Sequence, residues 1–318
     1  MSAATPGEIT VPDWLTRSLT AAHPAEAPTW LADLPALVAT QLTRLGVTLD
    51  RVLDPGGTHG LVAYVHRDDD LTPATLKVSL GTPETAHEPD ALTAWAGRGA
   101  VLLLDAHRTP TAGVLLLERL HGEIPLRSLA EPKAMLEATS LLHRLWLPLP
   151  LPSSPVPPSP VPPSPFPTLP QAAPTLPGEA IPGLPGEATP LLAEAAETAT
   201  ALTTSATEQF LLHGDFHHGN VLAADRAPWL AIAPRPLAGE RAYDLARLAL
   251  DRADTLVGSP GLAAAVRRRL HQLAEALDVD RDRLRGWTLV RAVDLALTAL
   301  AAGRRPEAEL YLEFAGAL

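Results

Sequence analysis

The sequence reads as an α+β protein in two parts, an antiparallel sheet followed by a mainly helical half. Three observations predict this. The first half alternates short apolar runs with turn signals: Gly46–Leu53, the glycine-rich turn DPGGTHG, then LVAYVH, DDDLTP and ATLKVSL. Runs this short, bounded by Gly, Asp and Pro, read as strands joined by tight turns. From Leu191 onward the apolar residues recur at helical spacing, as in AYDLARLALDRAD, GLAAAVRRRLHQLAEAL and RDRLRGWTLVRAVDLALTALAAG. Between the halves lies a proline-rich run that permits neither helix nor central strand.

Taken in order, Thr29–Leu45 (TWLADLPALVATQLTRL) has a helical apolar stripe; Gly46–Leu53 leads into the glycine-rich turn, and LVAYVH, the turn DDDLTP and ATLKVSL follow as strand, turn, strand, an antiparallel hairpin or meander. TPETAHEPDALTAWAGRG predicts one helix, with Pro89 in its first turn and Gly97 and Gly99 ending it. AVLLLDAH and GVLLLERL are two further strands, and Ala130–Leu147 is a helix. Pro148 to about Pro190 contains tandem SPVPP and LPGEA twice, and is expected to be a polyproline II-like or disordered surface insertion. A ligand for another protein, of the SH3 type, is its sharper reading. FLLHGDFHHGNVLAADRAPWLAIA predicts strand–loop–strand within the helical half. The expected division is a first lobe of residues 1–117 with an N-terminal helical extension, and a second lobe of residues 118–318 carrying the insertion.

Composition narrows the function. The 318 residues suffice for two lobes with a sizeable core. A net charge of −11 argues against a nucleic-acid partner, since phosphate backbones require clustered Lys and Arg. It suits a cationic small molecule weakly. The absence of cysteine excludes disulfides, thiol catalysis and Cys-based zinc sites. No apolar run is long enough to span a bilayer, and MSAATPGEITVPDW lacks the basic-then-apolar pattern of a secretory leader. The expectation is a soluble, cytoplasmic protein without a membrane partner.

The chemistry lies in LLHGDFHHGNVL (Leu211–Leu222). Phosphoryl transfer needs positioning, charge neutralisation by Mg²⁺, and a carboxylate that orients the attacking hydroxyl. Asp215 on a tight loop, with Asn220 five residues on, offers the carboxylate and one metal-binding amide. Gly214 and Gly219 permit the tight backbone. The third part should be a carboxylate on the next strand, WLAIAPRP.

HGDFHHGN…AIAPRPLAGERAYDLA resembles the aminoglycoside phosphotransferase superfamily, and within it the streptomycin 6-kinase and hydroxyurea phosphotransferase group. The first half agrees through ATLKVSL, EPDALTAWAGRGAV and VLLLERLHGEIPL, so the likeness runs from about Asp13 to the C-terminus without the insertion. The resemblance implies a protein-kinase-like two-lobed fold with ATP and Mg²⁺ between the lobes. It implies transfer of phosphate to a hydroxyl of a small antibiotic-like acceptor, of the streptomycin or hydroxyurea type. It assigns Asp215 as the catalytic aspartate, Asn220 as a metal ligand, Lys77 as the anchor of the nucleotide phosphates and Glu88 as the acid that orients Lys77. Glu118 to Gly122, Leu120 among them, would be the hinge whose backbone meets adenine. His213 would brace the loop, and Asp244 would hold it through backbone N–H groups.

The chain departs from the pattern at one point. Where the family ends a strand in Ile-Asp-Pro-Lys, this sequence has Ile232-Ala233-Pro234-Arg235. Alanine has no oxygen for a hard cation. Arg235 would add positive charge nearby, whereas Asp225 and Glu240, the acids close in sequence, have no clear path to the site. Two alternatives stand beside the enzyme, the first motivated by Ala233 and the second by the histidines of HGDFHH. One is a pseudokinase that binds nucleotide or ligand; the other is a zinc-dependent hydrolase built on His213, Asp215, His217 and His218.

Overall fold

The structure, a computed structural model, describes residues 9–57, 59–109, 111–149, 165–177, 184, 186–206 and 208–318. The chain divides into two compact units, one running to Ile124 and including Leu222–Arg235, the other Pro125–Val221 with Pro236–Leu318. The expected boundary at Leu117 falls inside a strand of the first unit.

In the first unit, helices α1 (Asp13–Ala22) and α2 (Ala27–Leu45) precede strands β1 (Val47–Val52), β2 (Gly60–Arg67) and β3 (Pro73–Leu80). Strands β4 (Leu103–Arg108) and β5 (Ala112–Glu118) complete an antiparallel sheet of order β1-β2-β3-β5-β4. Alternation along β3 sends Ala74, Leu76, Val78 and Leu80 to one face, where they join Leu61, Ala63, Val65, Val114 and Leu116. That face packs against Leu15, Leu19, Trp30, Leu34 and Val38 of α1 and α2 in a single core cluster. Lys77, between two core residues of β3, is thereby directed to the opposite face.

The single helix expected over TPETAHEPDALTAW is two, α3 (Pro83–Ala86) and α4 (Glu88–Trp95), broken at His87. Pro89 has no N–H to give the carbonyl of Thr85, and its ring would collide with that carbonyl in a continuous helix. The helix restarts so that Pro89 falls in the first turn of α4, and Glu88 becomes its first residue. A second sheet of the unit has the order β10-β9-β6, from β6 (His121–Pro125), β9 (Val221–Ala223) and β10 (Trp229–Ala231). The Ala231 amide donates to the Gly99 carbonyl and the Val101 amide to Ala231, each at 2.9 Å. These bonds pin the segment that leads to Ala233.

The second unit begins with α5 (Glu131–Leu145). Strands β7 (Leu147–Pro148), β8 (Phe210–Leu212) and β11 (Leu237–Gly239) form its antiparallel sheet, with β8 central. The expected strand–loop–strand is thus split: β8 pairs in this sheet, and β9 pairs with β10 in the other. Helices α7 (Thr189–Thr204), α8 (Arg241–Ala249), α9 (Leu262–Leu277), α10 (Arg281–Ala301) and α11 (Arg305–Gly316) supply the rest. Among the described residues, no helix is long and apolar enough to cross a membrane.

The proline-rich segment needs a correction. The SPVPP repeats and residues 178–183 lie outside the described residues. The stretch Pro165–Pro177, however, is built into the fold and not a disordered surface. Its short helix α6 (Leu169–Ala172) carries a capping box at Thr168, and the Ala238 amide donates to the Pro167 carbonyl at 2.8 Å. Phe166 and Leu169 are buried. Gly239 makes room for this contact: a Cβ there would lie 2.5 Å from Leu169 Cγ.

Candidate functional site

The loop after β8 is ordered by one helix. Gly214 has φ +79, a left-handed conformation that glycine adopts without cost, and it turns the chain so that Asp215 follows directly. Asp244, in the first turn of α8 and fully buried, accepts the amides of His213 at 2.8 Å and Gly214 at 2.7 Å, and the Trp146 indole N–H at 3.2 Å. Burial pushes its carboxyl above the usual range, and the opposing pull of His213, the two amides and the indole does not cancel this. The buried His213 ring accepts the Asp215 amide at Nδ1, 3.3 Å, and meets Phe216 edge-on with ring centroids 5.5 Å apart.

Two more residues of the same helical stripe reach the loop, and sequence reasoning missed both. Arg247 Nε donates to Asp215 Oδ1 at 2.9 Å, with side chains 12% and 22% exposed. Asp251 accepts the His218 amide at 2.7 Å, and its Oδ2 lies 2.6 Å from His218 Nδ1. Burial works against ionisation of Asp251, yet hydrogen bonding and charge from His218 hold its carboxyl far below the usual range. Asp244, Arg247 and Asp251 stand at i, i+3 and i+7, one face of the helix and its continuation. That spacing of polar residues on an otherwise apolar helix is the signal by which they are legible. Behind the loop, the buried Arg291 donates to the Gly214 carbonyl at 3.2 Å and to the Tyr243 hydroxyl at 2.5 Å.

Asn220 Nδ2 donates to the Asp215 carbonyl at 2.9 Å, which leaves Oδ1 as the atom the side chain can offer a ligand. His217 Nδ1 accepts the Gly219 amide at 3.1 Å, so the ring is neutral in this geometry. Burial and the charge of Arg247 push its pKa down to about 4. The zinc alternative fails on this geometry. The His213, His217 and His218 rings are each engaged separately, and no group of three His, Cys, Asp or Glu that could hold a metal occurs among the described residues.

In the first unit, Lys77 Nζ donates to both oxygens of Glu88 at 2.7 Å, with side chains 11% and 4% exposed. The helix break at His87 is what brings Glu88 to that position. The segment expected to be the hinge is partly committed to other bonds. Glu118 Oε1 accepts the Leu102 amide and Arg226 Nη2, both at 2.7 Å, so its side chain is a brace. The Leu120 carbonyl accepts the Tyr64 hydroxyl at 3.2 Å, and the Gly122 amide donates to that hydroxyl at 3.1 Å. Arg235 contacts the ring of His59 in the glycine-rich turn. Ala233 has φ +52, a conformation costly for alanine and better tolerated by Asp, Asn or Gly. Neither nearby acid replaces the missing carboxylate. Asp225 is 92% exposed and pairs with His121 at 2.9 Å, while the buried Glu240 pairs with Arg283 and Trp287.

Comparison with known sequences identifies the family. The family described as aminoglycoside/hydroxyurea antibiotic resistance kinase matches residues 46–303. The chain belongs to that family. It is therefore one of the phosphotransferases that act on hydroxyl groups. It is 34% identical to streptomycin 6-kinase of Streptomyces glaucescens, over 91% of this chain and 90% of that protein. It is 38% identical to hydroxyurea phosphotransferase of Kitasatospora aureofaciens, over 87% of this chain and 77% of that one. Among solved structures, an amicoumacin kinase determined with AMP-PNP and Ca²⁺ superposes with a TM-score of 0.58 at 12% identity, covering 91% of this chain and 96% of the other. Aminoglycoside phosphotransferase APH(4)-Ia, determined with ADP and hygromycin B, gives 0.54 at 14% identity, covering 87% and 96%. The fold is the protein-kinase-like fold of these phosphotransferases.

Proposed function

We propose that the protein transfers the γ-phosphoryl group of ATP to a hydroxyl of a small antibiotic-like acceptor, of the streptomycin or hydroxyurea kind. The observation that carries this reading is the loop His213–Asn220, fixed at its backbone by Asp244 so that Asp215 is presented on a tight, rigid turn. Asp215 would orient the acceptor hydroxyl and take its proton. Lys77, held by both oxygens of Glu88, would anchor the nucleotide phosphates. The named relatives that phosphorylate streptomycin and hydroxyurea support the acceptor class.

The donors present do not fit a resident Mg²⁺. Asn220 offers one neutral oxygen and Ala233 none, whereas a hard cation takes several oxygens, carboxylates foremost. Ala233 is also the one observation that favours the second reading, a nucleotide- or ligand-binding module without turnover. Transfer of labelled γ-phosphate to streptomycin and to hydroxyurea separates the two. Transfer that falls by roughly 10²–10⁴ in Asp215→Asn supports the enzyme. Nucleotide binding without transfer to either acceptor supports the binding module.

A further inference from the structure

The charge at the floor of the loop bears on the acceptor. Asp215 is the carboxylate that a cationic acceptor would approach, and its charge is already matched by Arg247. The pair is internal: the guanidinium comes from α8, the helix that also holds the loop backbone through Asp244. Among the described residues, Arg247 donates to Asp215 Oδ1 through Nε, so the rest of its guanidinium stands beside that carboxylate. A guanidinium stays protonated under all working conditions, so this positive charge is permanent. Among the described loop residues, Asp215 is the acid paired with it. His217 is neutral, and Asp251 is committed to His218. A second cation arriving beside Asp215 would meet Arg247 at short range where solvent screening is reduced.

We propose that Arg247 determines acceptor specificity, selecting acceptors that are neutral at the reacting hydroxyl and rejecting those with a guanidinium or ammonium next to it. This rests on the phosphotransferase reading above and narrows its acceptor class. Hydroxyurea is neutral and small, whereas streptomycin carries two guanidinium groups on the ring that bears its candidate hydroxyls. The neutral acceptor is therefore favoured, although the chain as a whole is acidic.

The test compares wild type with Arg247→Gln and Arg247→Lys, with Arg247→Met as the replacement should the Gln variant not fold. Transfer kinetics are measured on hydroxyurea and streptomycin, and streptomycin binding is measured by calorimetry without nucleotide. Removing the charge should raise the ratio of kcat/KM for streptomycin over hydroxyurea by roughly ten- to a hundredfold, the range for one charge at short distance in a partly screened site. The change should appear mainly in KM, streptomycin should bind more tightly by a similar factor, and Lys should keep the wild-type ratio. A structural role alone would lower both acceptors together and leave the ratio unchanged; that result overturns the proposal. So does streptomycin binding that is no tighter in the uncharged variant, or absent from it. Calorimetry reads this whether or not transfer occurs, so loss of turnover alone counts against the phosphotransferase reading and not against the role of Arg247.

Discussion

Asp244→Ala is a severe change that the structure predicts away from the reacting groups. The carboxylate accepts three N–H donors, at 2.7, 2.8 and 3.2 Å, and is fully buried. Truncation leaves two backbone amides and one indole N–H unmatched. Each buried unmatched donor costs about 1–3 kcal/mol. The costs do not sum fully, because the new space admits water and the desolvation of the carboxylate is relieved. The expected loss is about 3–5 kcal/mol, a large share of the stability of a typical domain. Asp244→Asn keeps one acceptor oxygen but turns an NH₂ toward a backbone N–H, and should cost about 2–3 kcal/mol. Urea unfolding followed by tryptophan fluorescence measures both, and hydrogen exchange at the His213 and Gly214 amides localises the effect. A loss under about 1 kcal/mol for Asp244→Ala, or unchanged protection of those amides, would refute the assignment of this residue as the clamp of the loop.

His217 supplies the pH dependence. Its pKa falls from 6.5 in the unfolded chain to about 4 in the fold, so between those values the unfolded chain binds more protons and stability rises with pH. From pH 7 to pH 5 this group should remove about 2 kcal/mol, a loss that His217→Gln should not show in paired urea titrations. Glu88→Gln strips one charge from a pair 11% and 4% exposed. It should raise the KM for ATP at least about tenfold, and a double-mutant cycle with Lys77→Met should give a coupling of more than about 1 kcal/mol. Ala233→Gly relieves a left-handed alanine at φ +52 and should raise stability by about 0.5–1 kcal/mol in thermal unfolding.

The loop and its clamp were legible because they are local patterns of chemical type: HGD, Asn220 five residues on, and an acid opening the next amphipathic helix. The stripe Asp244, Arg247, Asp251 was equally available as a spacing, yet only its first member stands out against the bland reading of helix charges. The three-residue strands were readable as strands but not as partners. Nothing in FLL or VLA says that β8 pairs with β7 and β11 while β9 pairs with β10, since those pairings are long-range in sequence. The proline content concealed Phe166 and Leu169, because composition speaks for a whole segment and burial is decided residue by residue. The final helix, α11, follows directly on the AAG stop of α10 and is short, so its pattern is easily lost in the C-terminal tail. Pro306 in the first turn and the apolar spacing of Ala308, Tyr311, Leu312 and Ala315 mark it. The left-handed backbone at Ala233 has no sequence signature, since alanine, unlike Gly, Asn or Asp, does not mark such a position.

The central claim is tested most directly by labelled γ-phosphate transfer from ATP, with Mg²⁺, to hydroxyurea and streptomycin, run on the wild-type chain, Ala233→Asp and Asp215→Asn. The predicted result is transfer by the wild type to at least one acceptor, faster transfer by Ala233→Asp by roughly 10²–10³, and loss of transfer in Asp215→Asn. Silence from both the wild type and Ala233→Asp with both acceptors would contradict the account, as would an Asp215→Asn variant as active as the wild type.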